Sequence, residues 1–174
     1  MASYEFEGQR PRVDAAAYVH PQAVLIGQVD IAAHCFIGAG AVLRADFGPI
    51  SIGQGSNVQE NCALHQNAGG AVEVGREVII GHGAILHDCL IADKAFVGMG
   101  AVVLAGCRLE EGAMLAAGAV APEGLLVPAG RLAAGNPARV VKQINPELAA
   151  RIAHGRALYQ GLAARCQAGL RRLD

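Results

Sequence analysis

Aliphatic residues fall on a six-residue grid along most of the chain. Val19, Leu25, Ile31, Ile37 and Leu43 lie six apart, and Ile52, Val58 and Leu64 resume the step after an insertion containing Phe47, Gly48 and Pro49. Val74, Ile80 and Leu86 follow a second insertion, HQNAGGAVE, and after one five-residue step come Ile91, Val97, Val103, Leu109 and Leu115. The residue after the anchor is often small, as in Ile37-Gly38, Ile52-Gly53, Val74-Gly75, Ile80-Gly81 and Val97-Gly98. A helix turns through about 600° in six residues and cannot keep such anchors on one stripe. Short strands with a turn every six residues can. Three strands per coil make a triangular prism, with anchors inward and small residues easing the corners. Each coil pairs with the next about 4.7–4.9 Å away, so equivalent positions stack in ladders. The grid predicts an all-β solenoid, a parallel β-helix, over residues 1–121.

The pattern fades after residue 121, and PEGLLVPAG and AAGNPARVV predict a connector with extended segments over 122–144. Asn145-Pro146-Glu147 then reads as a helix start, with Asn at the N-cap, Pro in the first position and an acid in the first turn. Leu148, Ile152, Tyr159, Leu162, Cys166 and Leu170 continue at helical spacing, predicting a C-terminal α-helix over 145–174 packed along the prism of a single domain. Gly155, Gly161 and Gly169 weaken it by about 1 kcal/mol each relative to alanine, and a kink or break is expected near Gly155.

Composition agrees with many small units: 53% of residues are hydrophobic but only 4% aromatic and 17% charged, with 23 glycines. A formal charge of −1 leaves no footprint for nucleic acid. No apolar run is long enough to span a bilayer, and MASYEFEGQRPR lacks the apolar core of a secretory signal, so the expected location is the cytoplasm. The cysteines, at 35, 62, 89, 107 and 166, are odd in number and contain no CxxC pair, which predicts reduced, mostly buried thiols.

The grid also places the histidines. Leu64 and Leu86 belong to one prism face, one coil apart, and His65 and His87 each follow by one residue, so they should stack on the outside of that face. Side chains so placed can converge on one ion. His82 follows Ile80 by two and lies on a different face; a neighbouring subunit in a threefold assembly could bring it to such a site. Three imidazoles and one open position make a catalytic zinc site, whereas the plain alternative is two surface histidines and one at an interface.

The six-residue pattern resembles the hexapeptide-repeat family, whose coils are left-handed against the usual crossover rule. More narrowly, RADFGPISIGQGSNVQENCALH followed by VIIGHGAILHDC resembles the gamma-class carbonic anhydrases. Arg44, Asp46, Gln59, His65, His82 and His87 match that motif residue by residue, and the resemblance spans roughly residues 10–145. It implies a homotrimer with metal sites at its interfaces, His65 and His87 from one chain and His82 from the next. Zn2+ is the expected metal, with Fe2+ or Co2+ as substitutes, and metal-bound hydroxide would attack CO2 to give bicarbonate. The resemblance further implies that Arg44 and Asp46 form an interfacial ion pair and that Gln59 hydrogen-bonds the metal's water. Glu60 occupies a position more often held by Asp. Tyr159 is an aromatic wall of the site by the resemblance, or core packing by its helical spacing. Asn57 is read as a ladder or turn residue.

The family's glutamate proton shuttle has no counterpart in the loop HQNAGG, where Glu60 could substitute. ADFG, ENCALH, GHGAILHDC, AFVGMGAVV and the tail HGRALYQGLAARCQAGL resemble the phenylacetate-degradation and carnitine-operon branch. That resemblance implies, as the alternative to CO2 hydration, metal-dependent hydrolysis of acyl-CoA thioesters. A metal-free hexapeptide acyltransferase, using histidine as general base, is the third class.

Overall fold

Every anchor from Leu25 to Leu115 is buried, and a second set of small residues fills the prism beside them. These lie two positions before the anchors and include Ala23, Cys35, Ala41, Cys62, Ala84, Ala101, Cys107 and Ala119. Three of the thiols donate across the coil: Cys35 to the Gly53 carbonyl at 3.1 Å, Cys62 to Gly81 at 3.2 Å and Cys107 to Pro122 at 2.9 Å. Burial pushes the Cys35 and Cys62 thiols up to about 11, so they act as small apolar fillers rather than nucleophiles.

The computed structural model describes residues 1–173. It is a left-handed parallel β-helix of about seven coils with one C-terminal helix. The first face stacks Tyr18–Val19, Phe36–Ile37, Asn57–Val58, Ile79–Ile80, Phe96–Val97, Met114–Leu115 and Arg131–Gly135 in parallel. The second stacks Ala63–His65, Ile85–His87, Val102–Val103 and Val120–Ala121. The third stacks Val72–Val74, Cys89–Ile91, Arg108–Leu109 and Leu126–Val127. Two longer strands, Val24–Ile31 and Val42–Ile52, pass through the corner between the second and third faces and join them into one sheet. The register steps from Gly27↔Ala45 to Val29↔Ile50, so residues 46–49 bulge out of the ladder as the first insertion.

The coil continues past residue 121. Leu126–Val127 pairs with Arg108–Leu109, and Arg131–Gly135 with Met114–Leu115. Ala121, Val127 and Ala133 prolong the six-residue step and are buried. The bulky-aliphatic pattern fades there because two of these anchors are alanine, and Pro122 and Pro128 stand at corners of coils rather than in a connector. Ala138–Gln143 then runs antiparallel to Arg131–Gly135, past a cis Asn136-Pro137 peptide.

The helix Pro146–Gly169 starts as expected, with the Asn145 side chain accepting the Leu148 N–H at 2.8 Å and Glu147 in the first turn. It does not break at Gly155. Gly155 faces Ile79 on the first face, where even a Cβ would make only ordinary contact, 3.9 Å from Ile79 Cδ1. Arg156 donates to the Lys94 carbonyl, and Gln167 to the carbonyls of Ala15 and Ala17, so tertiary contacts hold a helix that its glycines would weaken. Leu170 caps the helix and is exposed rather than part of the packed stripe.

Candidate functional site at the corners of the second face

The ladder that begins at Tyr4↔Ile26 and Ile26↔Arg44 runs upward on the outside of the second face to His65↔His87. The two imidazoles stand directly in register, with ring centroids 5.4 Å apart. Asp46, thrown outward by the first insertion, takes the Nε2–H of His65 at 2.9 Å and forms an ion pair with Arg44. Burial alone would raise the Asp46 carboxyl, but hydrogen bonds from Arg44 and His65 outweigh it and hold the group below its ordinary value.

His82 lies on the corner between the first and second faces. Its Nδ1–H meets Glu60 Oε2 at 2.6 Å, one coil below. In a neutral ring, donation from one nitrogen leaves the lone pair on the other, which is Nδ1 for His65 and Nε2 for His82. A carboxylate fixing one nitrogen while the other is left to ligate is the arrangement metal-binding histidines adopt. The donor chemistry therefore suits a zinc-type ion. Among the described residues, however, no three His, Cys, Asp or Glu side chains converge within the chain.

Gln59 is turned inward and almost fully buried. Its amide donates to Asn57 Oδ1 at 3.0 Å and its carbonyl accepts the His82 N–H at 3.2 Å. Within the chain it reaches the site through the His82 backbone, rather than as an outward donor of the kind the resemblance implies. Asn57 is the buried ladder residue expected of it, donating to the Val78 carbonyl at 3.4 Å. Tyr159 packs edge-on against Phe36, ring centroids 5.5 Å apart, in a cluster with Tyr18 and Ala163 on the first face. It is thus separated from His65 and His87 by a corner of the prism, and burial, then the charge of Glu60, pushes its phenol up.

Other residues complete the surroundings: Phe47, already marked by the first insertion, and Asp88 and Gln66, which had not stood out in the sequence. Phe47 is half-exposed, with its ring centroid 5.6 Å from that of His65. Asp88 ties down the loop after His65 by accepting the Ala71 N–H at 3.0 Å and the Asn67 amide at 3.3 Å. Gln66, wholly buried, donates to the Gly48 carbonyl at 2.6 Å. The two insertions press together so closely that a Cβ on Gly48 would lie 2.1 Å from the Gly70 carbonyl oxygen. Val42, Ala63, Ile85, Val102 and Val120 form a second outward column beside the histidines, and it is apolar throughout.

The chain is 39% identical over 174 residues to the carnitine operon protein CaiE of Salmonella agona, an alignment covering 98% of this chain and 86% of that protein. It is 38% identical to CaiE of Escherichia coli K12, over 98% of this chain and 87% of that one. A hexapeptide transferase family protein from Anaplasma phagocytophilum superposes with a TM-score of 0.90 at 36% identity, covering 94% of this chain and 96% of that one. A candidate acetyltransferase from Bacillus cereus superposes with a TM-score of 0.94 at 29% identity, covering 96% and 97%. No family model matches the chain.

Proposed function

The chain belongs to the family of hexapeptide-repeat proteins that includes CaiE, and we propose that it is an enzyme working as a cytoplasmic homotrimer with a divalent metal site shared between subunits. The observation that carries this reading is the in-register pair His65 and His87, with ring centroids 5.4 Å apart and a carboxylate already holding one of them. His87 and His65 of one subunit and His82 of another would hold the ion, zinc first and Fe2+ or Co2+ as substitutes. The apolar column beside the histidines supplies a face for the neighbouring subunit.

The reaction proposed is carbonic anhydrase-type hydration of CO2 to bicarbonate. When bound, the metal supplies the Lewis acidity that makes water a nucleophile at neutral pH. The chain's own groups do the positioning: Asp46 holds the Nε2–H of His65, Glu60 the Nδ1–H of His82, and Gln59 the His82 backbone. Arg44 keeps Asp46 ionised. The loop after His65 contains no acid, which leaves Glu60 to pass on the proton released.

One observation favours a second reading, hydrolysis of an acyl-CoA thioester. Phe47 presents a half-exposed ring against His65, an apolar wall that CO2 does not need and an acyl group would use. A third reading, acyl transfer, is the chemistry named for the two solved structures, a hexapeptide transferase family protein and an acetyltransferase.

The test is a paired assay of wild type and His87→Ala with metal content measured on both. CO2 hydration by stopped flow and thiol release from phenylacetyl-CoA are followed in parallel. The proposal expects about one metal per chain and hydration in the wild type, with hydration at least 100-fold lower in the variant, the scale set by loss of a group central to transition-state stabilisation. Histidine-dependent thiol release alone replaces hydration by the thioesterase. A metal-free protein with neither activity overturns the metal-site reading.

A further inference from the structure

Away from the histidine column, a cavity of about 920 Å³ opens where the end of the helix meets the first coils of the prism. Its size falls within the range of small-molecule sites, which run from about 300 to 1,000 Å³ and commonly lie between packed elements. Val13, Ala17, Val19 and Leu170 give it an apolar lining. Gln167, pinned to the carbonyls of Ala15 and Ala17, fixes the distance between helix and coil.

Two features say what would occupy it. The first is charge. Arg171 lines the cavity, and among the described residues no Asp or Glu does, in a protein whose formal charge is −1. The Arg171 side chain donates to the carbonyl of the adjacent Leu170 and forms no ion pair among the described residues. The second is Tyr18, which is 92% buried in the cavity wall with a hydroxyl that has no hydrogen-bond partner. Its ring is fixed by stacking on Phe36, centroids 5.5 Å apart. A buried donor left unpaired is uncommon in a folded protein, and a ligand or ordered water is the usual explanation. Burial, and then the neighbouring Cys166, pushes the phenol up, so it stays protonated and able to donate across the neutral range.

We propose that this cavity binds an amphipathic organic anion, an apolar aryl or acyl body carrying one carboxylate- or sulfonate-like head. The body lies against Val13, Ala17, Val19 and Leu170, the head pairs with Arg171, and Tyr18 supplies a hydrogen bond. The site uses none of the histidines of the second face and is independent of the metal reading.

Anilinonaphthalene sulfonate is a suitable probe, because phenylnaphthylamine presents the same rings without the charge. Both are titrated by fluorescence against wild type, Arg171→Gln and Tyr18→Phe, each verified as folded by circular dichroism. The expected result is saturable, one-to-one binding of the sulfonate, weakened at least fivefold in Arg171→Gln, while the neutral probe binds both proteins alike. Tyr18→Phe weakens the sulfonate without unfolding the protein. Cys166, half-buried in the same wall, reports on location: saturating sulfonate should slow its alkylation by iodoacetamide. Binding that does not saturate, an Arg171 substitution without effect, or Cys166 alkylation at an unchanged rate each overturns the proposal.

Discussion

Gly38 stands one coil beneath Glu60, and the backbone leaves it no room for a side chain: a Cβ would meet the Glu60 nitrogen at 2.7 Å and Glu60 Oε1 at 2.9 Å. The absent methyl is what lets Glu60 fold back over the corner towards His82. Gly38→Ala should therefore displace the Glu60 backbone and lower stability by about 1–3 kcal/mol, the usual range for overpacking, read as a drop in the urea midpoint. It should also break the Glu60–His82 hydrogen bond, which the His82 ring resonances report by NMR. Both relations span one coil of 22 residues, as does the relation of His65 to His87. The histidine pair was legible because imidazoles draw attention as ligands. The Gly38–Glu60–His82 line has the same arithmetic but went unread, since a small residue after an anchor looks like any other corner. The inward turn of Gln59 was not legible at all, because it depends on Asn57 Oδ1 and the His82 N–H satisfying the two ends of one amide together.

At the scale of the element, the helix shows local preference overruled by packing. Its cap was readable from Asn145-Pro146-Glu147 alone, whereas its continuity through Gly155 goes with tertiary contacts such as Arg156 on the Lys94 carbonyl, which no helical period reveals. Gly161 is exposed, and a Cβ there would meet nothing within 4 Å. Gly161→Ala should raise stability by about 0.5–1 kcal/mol by narrowing the unfolded chain's freedom, seen as a higher melting temperature with the fold unchanged. The last coils make the converse point. Beyond residue 121 they were legible only as a connector with extended segments, because Ala133 fills an anchor site with little bulk and register with the coil below, rather than hydrophobic size, defines its strand.

The whole molecule is a stack, and charge staples its outer corners. Asp93 accepts the Arg76 N–H at 2.8 Å and its guanidinium at 3.0 Å, joining two successive coils. The backbone hydrogen bond from Arg76 is the main reason its carboxyl lies below the ordinary value of 3.8, against an opposing effect of burial. A carboxyl depressed on folding adds stability that is complete above its unfolded value and disappears as pH falls through the lower folded value. Melting temperatures taken from about pH 5 down to about pH 2 should fall less steeply in Asp93→Asn than in wild type, with the two curves meeting at the acid end. The prism itself was legible from six-residue counting, but the bulge that carries Asp46 and Phe47 was visible only as a break in the count. A stack of equivalent rungs has no intrinsic last member, since each finished coil offers the next a complete row of backbone partners. The reversed strand Ala138–Gln143 ends that succession by running against the grain, with the charged Arg139 and Lys142 along it. On the first face, a single change of chain direction thus closes the row that a further parallel coil would have met.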